Sequence, residues 1–89
     1  MSTSIRVEYR IDPGHGWLVV NHLQLQLVGL SPADFSVFSY KTDGRYALEE
    51  DCDMPKFMKA AEDKGIGVEL KIKHLDNDSS IRRWRSINE

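Results

Sequence analysis

Between Glu49 and Asp53 the chain gathers four carboxylates around its only cysteine, in the run LEEDCDMPKF. Residues of these types support three kinds of chemistry. Two carboxylates converging on a substrate can move a proton, acids with a thiolate can hold a metal ion, and a thiol at a helix start can become a nucleophile. The spacing argues against each. Glu49 and Glu50 are neighbours at a strand end, so they point to opposite faces and form no facing pair. A calcium loop of the EF-hand type needs acids at alternate positions, a central glycine and a distal glutamate, which DCDMPK lacks. Zinc would ask for more thiols or imidazoles. A helix N-terminus lowers a thiol pKa, but the carboxylates around Cys52 disfavour the thiolate, so an ordinary, partly buried cysteine is expected. The acids do suit a helix start. Asp51 and Asp53 stand before and at the first turn, where unpaired backbone N–H groups favour negative charge by roughly 0.3–1 kcal/mol each.

His15, in DPGHGW, is the second chemical candidate. A small hydrolase or metal protein could use it together with Glu50, Asp51 or Asp53, if the fold brought them within reach of one bridging water. A histidine flanked by glycines at a hairpin tip has nothing to orient it as a base, and a turn histidine is the plainer reading. The glycines are no phosphate loop, because the Gly-Lys-Ser/Thr ending is absent. The third candidate is the tail SIRRWRSI. Arg82, Arg83 and Arg85 beside Trp84 can pair with phosphate and stack on a base, and Lys71 and Lys73 could extend that face from a neighbouring strand. An edge strand studded with arginine is also a common way to keep an edge soluble.

The elements that must position these residues follow from periodicity. Ile5, Val7 and Tyr9 alternate with Arg6, Glu8 and Arg10, a strand over Ser4–Ile11; DPGHG turns it, and Trp17–Val20 returns. NHLQLQLVGL carries both a strand period and a helical face of Leu23, Leu27 and Leu30. Asn21 as a cap and Gly29 as a terminator favour a short helix. Phe35–Tyr40 reads as a strand, Asp43-Gly44 as a hairpin tip, and Tyr46–Glu49 as the return. From Asp53 to Lys64, Met54, Phe57, Met58 and Ala61 form one apolar stripe, with Asp53 able to cap it and Gly65 to end it. Val68, Leu70 and Ile72 alternate with Glu69, Lys71 and Lys73 in a further strand. DNDSS turns that strand into a returning edge strand over Ile81–Ile87. The expected fold is α+β: a two-layer sandwich, mainly antiparallel sheet with two helices on one face, in the order strand-strand-helix-strand-strand-helix-strand-strand. Strand-then-helix occurs twice, without a sequence repeat.

Composition bounds the rest. Eighty-nine residues make a single domain, 1–89, with 40% hydrophobic residues for one modest core. No apolar run reaches the ~20 residues of a membrane span, so no membrane association is expected. Met1 to Arg6 has no signal-like apolar stretch, and the lone cysteine fits a reducing compartment, so a cytoplasmic setting is expected. The net charge of −2 weighs against whole-molecule attraction to nucleic acid. Charge is unevenly placed. Five acids (Asp43, Glu49, Glu50, Asp51, Asp53) lie between 43 and 53 against Arg45 alone, while five bases lie between 71 and 85 against Asp76 and Asp78.

Several short pieces, His15-Gly16-Trp17-Leu18, Ser39-Tyr40, Leu48-Glu49-Glu50-Asp51-Cys52-Asp53 with Phe57, and Ile81-Arg82, resemble a group of small uncharacterised proteins of bacteriophages, prophages and plasmids. The resemblance implies a setting, the accessory genes of mobile elements, and transfers no activity and no catalytic residue. The helix over NHLQLQLVGL is poorer in charge than that group would suggest.

The leading expectation is therefore a non-enzymatic binding domain with no cofactor and no metal. It would dock on a protein partner through Asp43, Glu49, Glu50, Asp51 and Asp53, in the way a nucleic acid backbone engages a basic groove. Inhibition of a host nucleic-acid enzyme or defence complex is one form this could take. A nucleic-acid binder using Lys71, Lys73, Arg82, Arg83, Trp84 and Arg85 ranks second, and the His15 hydrolase or metal protein third. A domain this small could also hide an apolar edge in a homodimer.

Overall fold

The alternation of apolar residues builds β1 (Thr3–Ile11), which turns back as β2 (Gly16–Asn21). Asp12 makes the turn. Its Oδ1 accepts from the backbone N–H groups of Gly14 at 2.9 Å and His15 at 2.8 Å, and its own N–H donates to the His15 carbonyl. The first helix, α1 (His22–Leu27), follows at once. After it come a 3-10 turn (Pro32–Asp34), β3 (Tyr40–Thr42), β4 (Arg45–Glu49), α2 (Met54–Asp63), β5 (Ile66–His74), a second 3-10 turn (Ser80–Arg83) and β6 (Arg85–Ser86). These elements belong to a computed structural model that describes residues 3–36, 39–42, 44–74 and 80–87.

The fold is α+β, with one six-stranded mixed sheet in the order β5-β1-β2-β4-β3-β6. β1 and β5 run parallel, and the other neighbours are antiparallel. Two units of hairpin followed by helix, β1-β2-α1 and β3-β4-α2, meet where β2 pairs antiparallel with β4. That is the arrangement a twofold axis between the units would produce.

Each face of the sheet has its own apolar cluster. On one face Val7, Leu18, Val20 and Leu48 pack with Leu25 and Val28 from the first helical segment, Phe57 and Ala61 from α2, and Phe35 and Ile87. On the other, Trp17, Val19 and Ala47 are covered by Ile81, with Tyr40 and Trp84 against them. Burying a side chain of the size of Phe57 or Leu48 contributes roughly 1.5–3 kcal/mol.

Several expectations require correction. The helix over NHLQLQLVGL exists, but Leu25 and Val28 are its buried residues, while Leu23 and Leu27 are 68% and 49% exposed. Its phase is set by polar bonds. Asn21 and Gln24 form a reciprocal capping box, and Gln24 Nε2 also donates to the Arg6 carbonyl at 3.0 Å, which turns Leu25 toward the sheet. Among the described residues the strand expected over Phe35–Tyr40 is present only at its last residue: a 3-10 turn covers Pro32–Asp34, Phe35 is buried at its end, and β3 begins at Tyr40. Val37, Phe38 and Asp43 lie outside the described residues, and Gly44 has the positive φ of 69° that a hairpin tip needs. The edge strand expected over Ile81–Ile87 is reduced to the two residues of β6, preceded by the 3-10 turn Ser80–Arg83. It pairs with β3, not with β5, so the basic C-terminal hairpin does not form. The DNDSS segment, 76–80, falls on residues whose placement is outside the described set except for the backbone of Ser80.

Candidate functional site

The acidic corner lies where β4 hands over to α2, and each acid in it has a different task. Asp53 stands at the N-cap position but does not cap. Its backbone is helical, φ −105° and ψ −32°, which aims the side chain away from the helix amides instead of back at them. The carboxylate, 1% exposed, turns toward the segment before β3. There it accepts from the Ser36 N–H at 3.0 and 3.1 Å, from the Ser36 hydroxyl at 2.8 Å and from the Ser39 hydroxyl. Ser39, fully buried, in turn accepts from the Glu49 N–H at 2.9 Å. Glu49 is buried as well, and its carboxylate accepts from the Cys52 N–H at 2.8 Å, which closes the turn that leads into α2.

Glu50 is half-buried and is held from the other side, accepting the Tyr9 hydroxyl proton at 2.6 Å. The contact lies against Gly16, where a Cβ would come within 2.6 Å of the Tyr9 oxygen and 2.8 Å of Glu50 Oε2. A side chain at position 16 would therefore have to displace the Tyr9–Glu50 contact. Burial, then the hydrogen bond and negative charge of Glu50, then Asp51 and Glu49, push the Tyr9 phenol up to about 12. A raised folded pKa means the folded state holds the proton more tightly. This contribution to stability is complete below the ordinary tyrosine value of 10 and is lost as pH rises through about 12. The wild-type chain is expected to lose stability between those values by an increment that Tyr9→Phe does not show, measured by denaturant unfolding across the alkaline range. Equal alkaline slopes for the two proteins would refute the assignment.

Asp51 and Cys52 are exposed at the tip. Cys52 corrects the expectation of a partly buried thiol. Its thiol is pushed up by partial desolvation in the turn and by the charge of Glu49, the hydrogen bond to it, and the charges of Asp53 and Asp51, so the direction expected from the carboxylates is the one found.

The basic residues do not share a face built from adjacent strands. Lys71 and Lys73 are exposed on β5 at one end of the sheet, while Arg83, Trp84 and Arg85 lie at β6, the other end. Five strand spacings separate the two edges, about 24 Å. Arg82 falls in the second 3-10 turn. Trp84 is half-buried, and Arg45 from β4 lies 5.4 Å from its ring centroid, a cation–π contact that already occupies one side of the indole. His15 is exposed in the Asp12 turn, its ring 5.7 Å from that of Trp17 at a tilt of 39°. Among the described residues no three of the His, Cys, Asp and Glu side chains are grouped to hold a metal ion.

Sequence reasoning missed Ser36, Ser39 and Tyr9. The serines are 17 and 14 residues from Asp53 and Tyr9 is 41 from Glu50, so no local pattern signals the contacts. Segments far apart in the chain nevertheless meet in space. Trp17 and Leu18 pair with Glu49 and Leu48, Ser39 joins Glu49 to Asp53, and Ile81 packs on Trp17. Comparison with family models, with curated proteins and with solved structures gives no match for this chain. No helix among the described residues is long and apolar enough to cross a membrane.

Proposed function

We propose that this chain is a small non-enzymatic binding domain that docks on a protein partner through the corner bearing Glu50 and Asp51. One observation carries the reading: the turn from Glu49 to Asp53 is tied down on three sides, by Asp53 to Ser36 and Ser39, by Glu49 to Cys52, and by Glu50 to Tyr9. The exposed carboxylate of Asp51 and the partly exposed Glu50 thus project from a frame that need not be ordered on binding, which favours affinity for a basic surface. Glu49 and Asp53 serve the frame, and their burial removes them from the contact surface. Asp43 lies outside the described residues and is not part of this docking set.

In the same reading the architecture is a two-layer sandwich. It is supported by the cluster that both helical segments share with one face of the sheet. A cytoplasmic setting and a mobile-element origin belong to it too, resting on the single cysteine and on the resemblance of the quoted segments. A partner with a nucleic-acid-binding groove, such as a host enzyme acting on DNA or RNA, has the basic surface this corner would meet.

The test is capture of partners from bacterial lysate at low and high salt, with Glu50→Gln/Asp51→Asn as the comparison. Retention that is salt-sensitive and is reduced about tenfold by the double substitution is expected, since two charge contacts of ~0.7 kcal/mol each give that factor. Equal retention by both proteins would refute docking through this corner.

A further inference from the structure

We propose that two copies of this chain join edge to edge through β5, pairing antiparallel about a twofold axis that passes through Leu70. β5 ends the sheet, and among the described residues its one strand neighbour is β1. It is nine residues long, about 30 Å, against two residues for the strand at the opposite edge. Alternate residues of such a strand direct their N–H and C=O groups away from β1, as a row that a further strand can pair with.

The side chains select which strand. β5 presents Val68, Leu70 and Ile72 on the helix-bearing side and Glu69, Lys71 and Lys73 on the other, in register with Ile5, Val7 and Tyr9 and with Arg6, Glu8 and Arg10 of β1. A twofold axis perpendicular to the sheet keeps the helices of both copies on one side. It sets residues of like facing opposite one another, so the axis must fall on a residue. Centred on Leu70, it places Glu69 opposite Lys71 of the second copy and Lys71 opposite its Glu69. Val68 then faces Ile72, Ile72 faces Val68, and Leu70 faces its own symmetry mate. Opposite charges and apolar side chains directly across a strand pair are both favourable.

The neighbouring registers are poorer. An axis on Glu69 sets Glu69 against itself. An axis on Lys71 gains two Glu69–Lys73 pairs but sets Lys71 against itself at the centre. An axis on Ile72 opposes Lys71 and Lys73 twice, and an axis on Val68 opposes no like charges but pairs only Ile66 to Leu70 and forms no ion pair. Like charges directly opposite destabilise a pair. The register centred on Leu70 is the one that pairs all nine residues, with two opposite-charge pairs and no like-charge pair. The proposal also accounts for Ile72, an isoleucine 56% exposed at the end of an otherwise half-buried apolar row.

Sedimentation velocity over a concentration series, up to the millimolar range, tests this on the full chain. Wild type is expected to dimerise reversibly. Glu69→Lys and Lys71→Glu each turn both ion pairs into like-charge pairs, and each is expected to weaken association at least tenfold. Mixed in equal amounts, the two variants regain attraction at both positions and associate as a heterodimer. Ile72→Lys, at an exposed position, weakens the dimer independently. Hydrogen exchange of wild type supplies a readout without substitution: β5 amides slow as concentration rises. A wild type that stays monomeric throughout, variants that dimerise as tightly as wild type, or a mixture no tighter than its components would overturn the proposal. None of these substitutions touches Glu50 or Asp51, so the result is read separately from that of the docking experiment.

Discussion

Asp53→Ala lowers the stability of the chain by about 3 kcal/mol, with a fall in Tm of roughly 15 °C for a domain of this size. The figure follows from what the carboxylate holds. Removing it leaves the Ser36 N–H and the hydroxyls of Ser36 and Ser39 without their buried acceptor, and hydrogen bonds to a charged group contribute about 1.5–3 kcal/mol each. The two hydroxyls can rotate toward other acceptors, whereas the backbone N–H cannot, so the sum stays well short of three full bonds. Ser39→Ala gives an intermediate loss, because the Glu49 N–H is orphaned along with one donor to Asp53. Asp51→Asn, exposed on the same turn, changes stability by less than about 0.5 kcal/mol. The contrast between Asp53 and Asp51 separates a buried strut from a helix cap, since a lost cap would cost only about 1 kcal/mol. Urea unfolding of the four proteins decides it, and a loss below that value at Asp53 would refute the strut.

Ile81→Ala is expected to cost about 3 kcal/mol as well, for a different reason. Ile81 is fully buried and is the residue that the second 3-10 turn places over Trp17, Val19 and Ala47. Truncation leaves a cavity in a cluster too small to collapse around it. Trp17 is expected to report the change by a red shift in fluorescence at a temperature where the variant is still folded. Ile72→Ala, measured as the monomer, should leave stability within about 0.5 kcal/mol of wild type. If Ile81→Ala unfolds at the same urea concentration as wild type, the second face of the sheet does not depend on the C-terminal segment.

Local chemistry was legible in the sequence, and contact between distant segments was not. The hairpin β1–β2, the helix from Met54, and the positive φ of Gly29, Gly44 and Gly65 follow from alternation, a 3.6-residue stripe and terminal glycines. The cap of α1 was legible at Asn21, but the face that α1 buries was not, because Gln24 fixes it by reaching a strand 18 residues away. The same limit explains β5. Its alternation marks a strand with one polar face, yet nothing in IGVELKIKHL shows that it pairs parallel with β1 rather than antiparallel with the segment after it. The candidate site divides in the same way. The acidic stretch was visible as a concentration of charge, while its sorting into two buried struts, one tethered acid and one exposed acid depends on Ser36, Ser39 and Tyr9. Asp53 was read as a cap because position and residue type both allow it, and the backbone angles there decide otherwise.

The parallel pairing of the first and fifth strands also shapes the order in which the chain can assemble. β1 meets β2 across a five-residue separation at Ile11 and Gly16, but it meets β5 across 63 residues, as between Arg6 and Glu69. Closing the longer loop costs roughly 2 kcal/mol more chain entropy, so the two hairpins form before the outermost strand is added. During synthesis β1 leaves the ribosome long before its parallel partner exists. Its outer edge then stays open to other chains until α2 has carried β5 across the sheet.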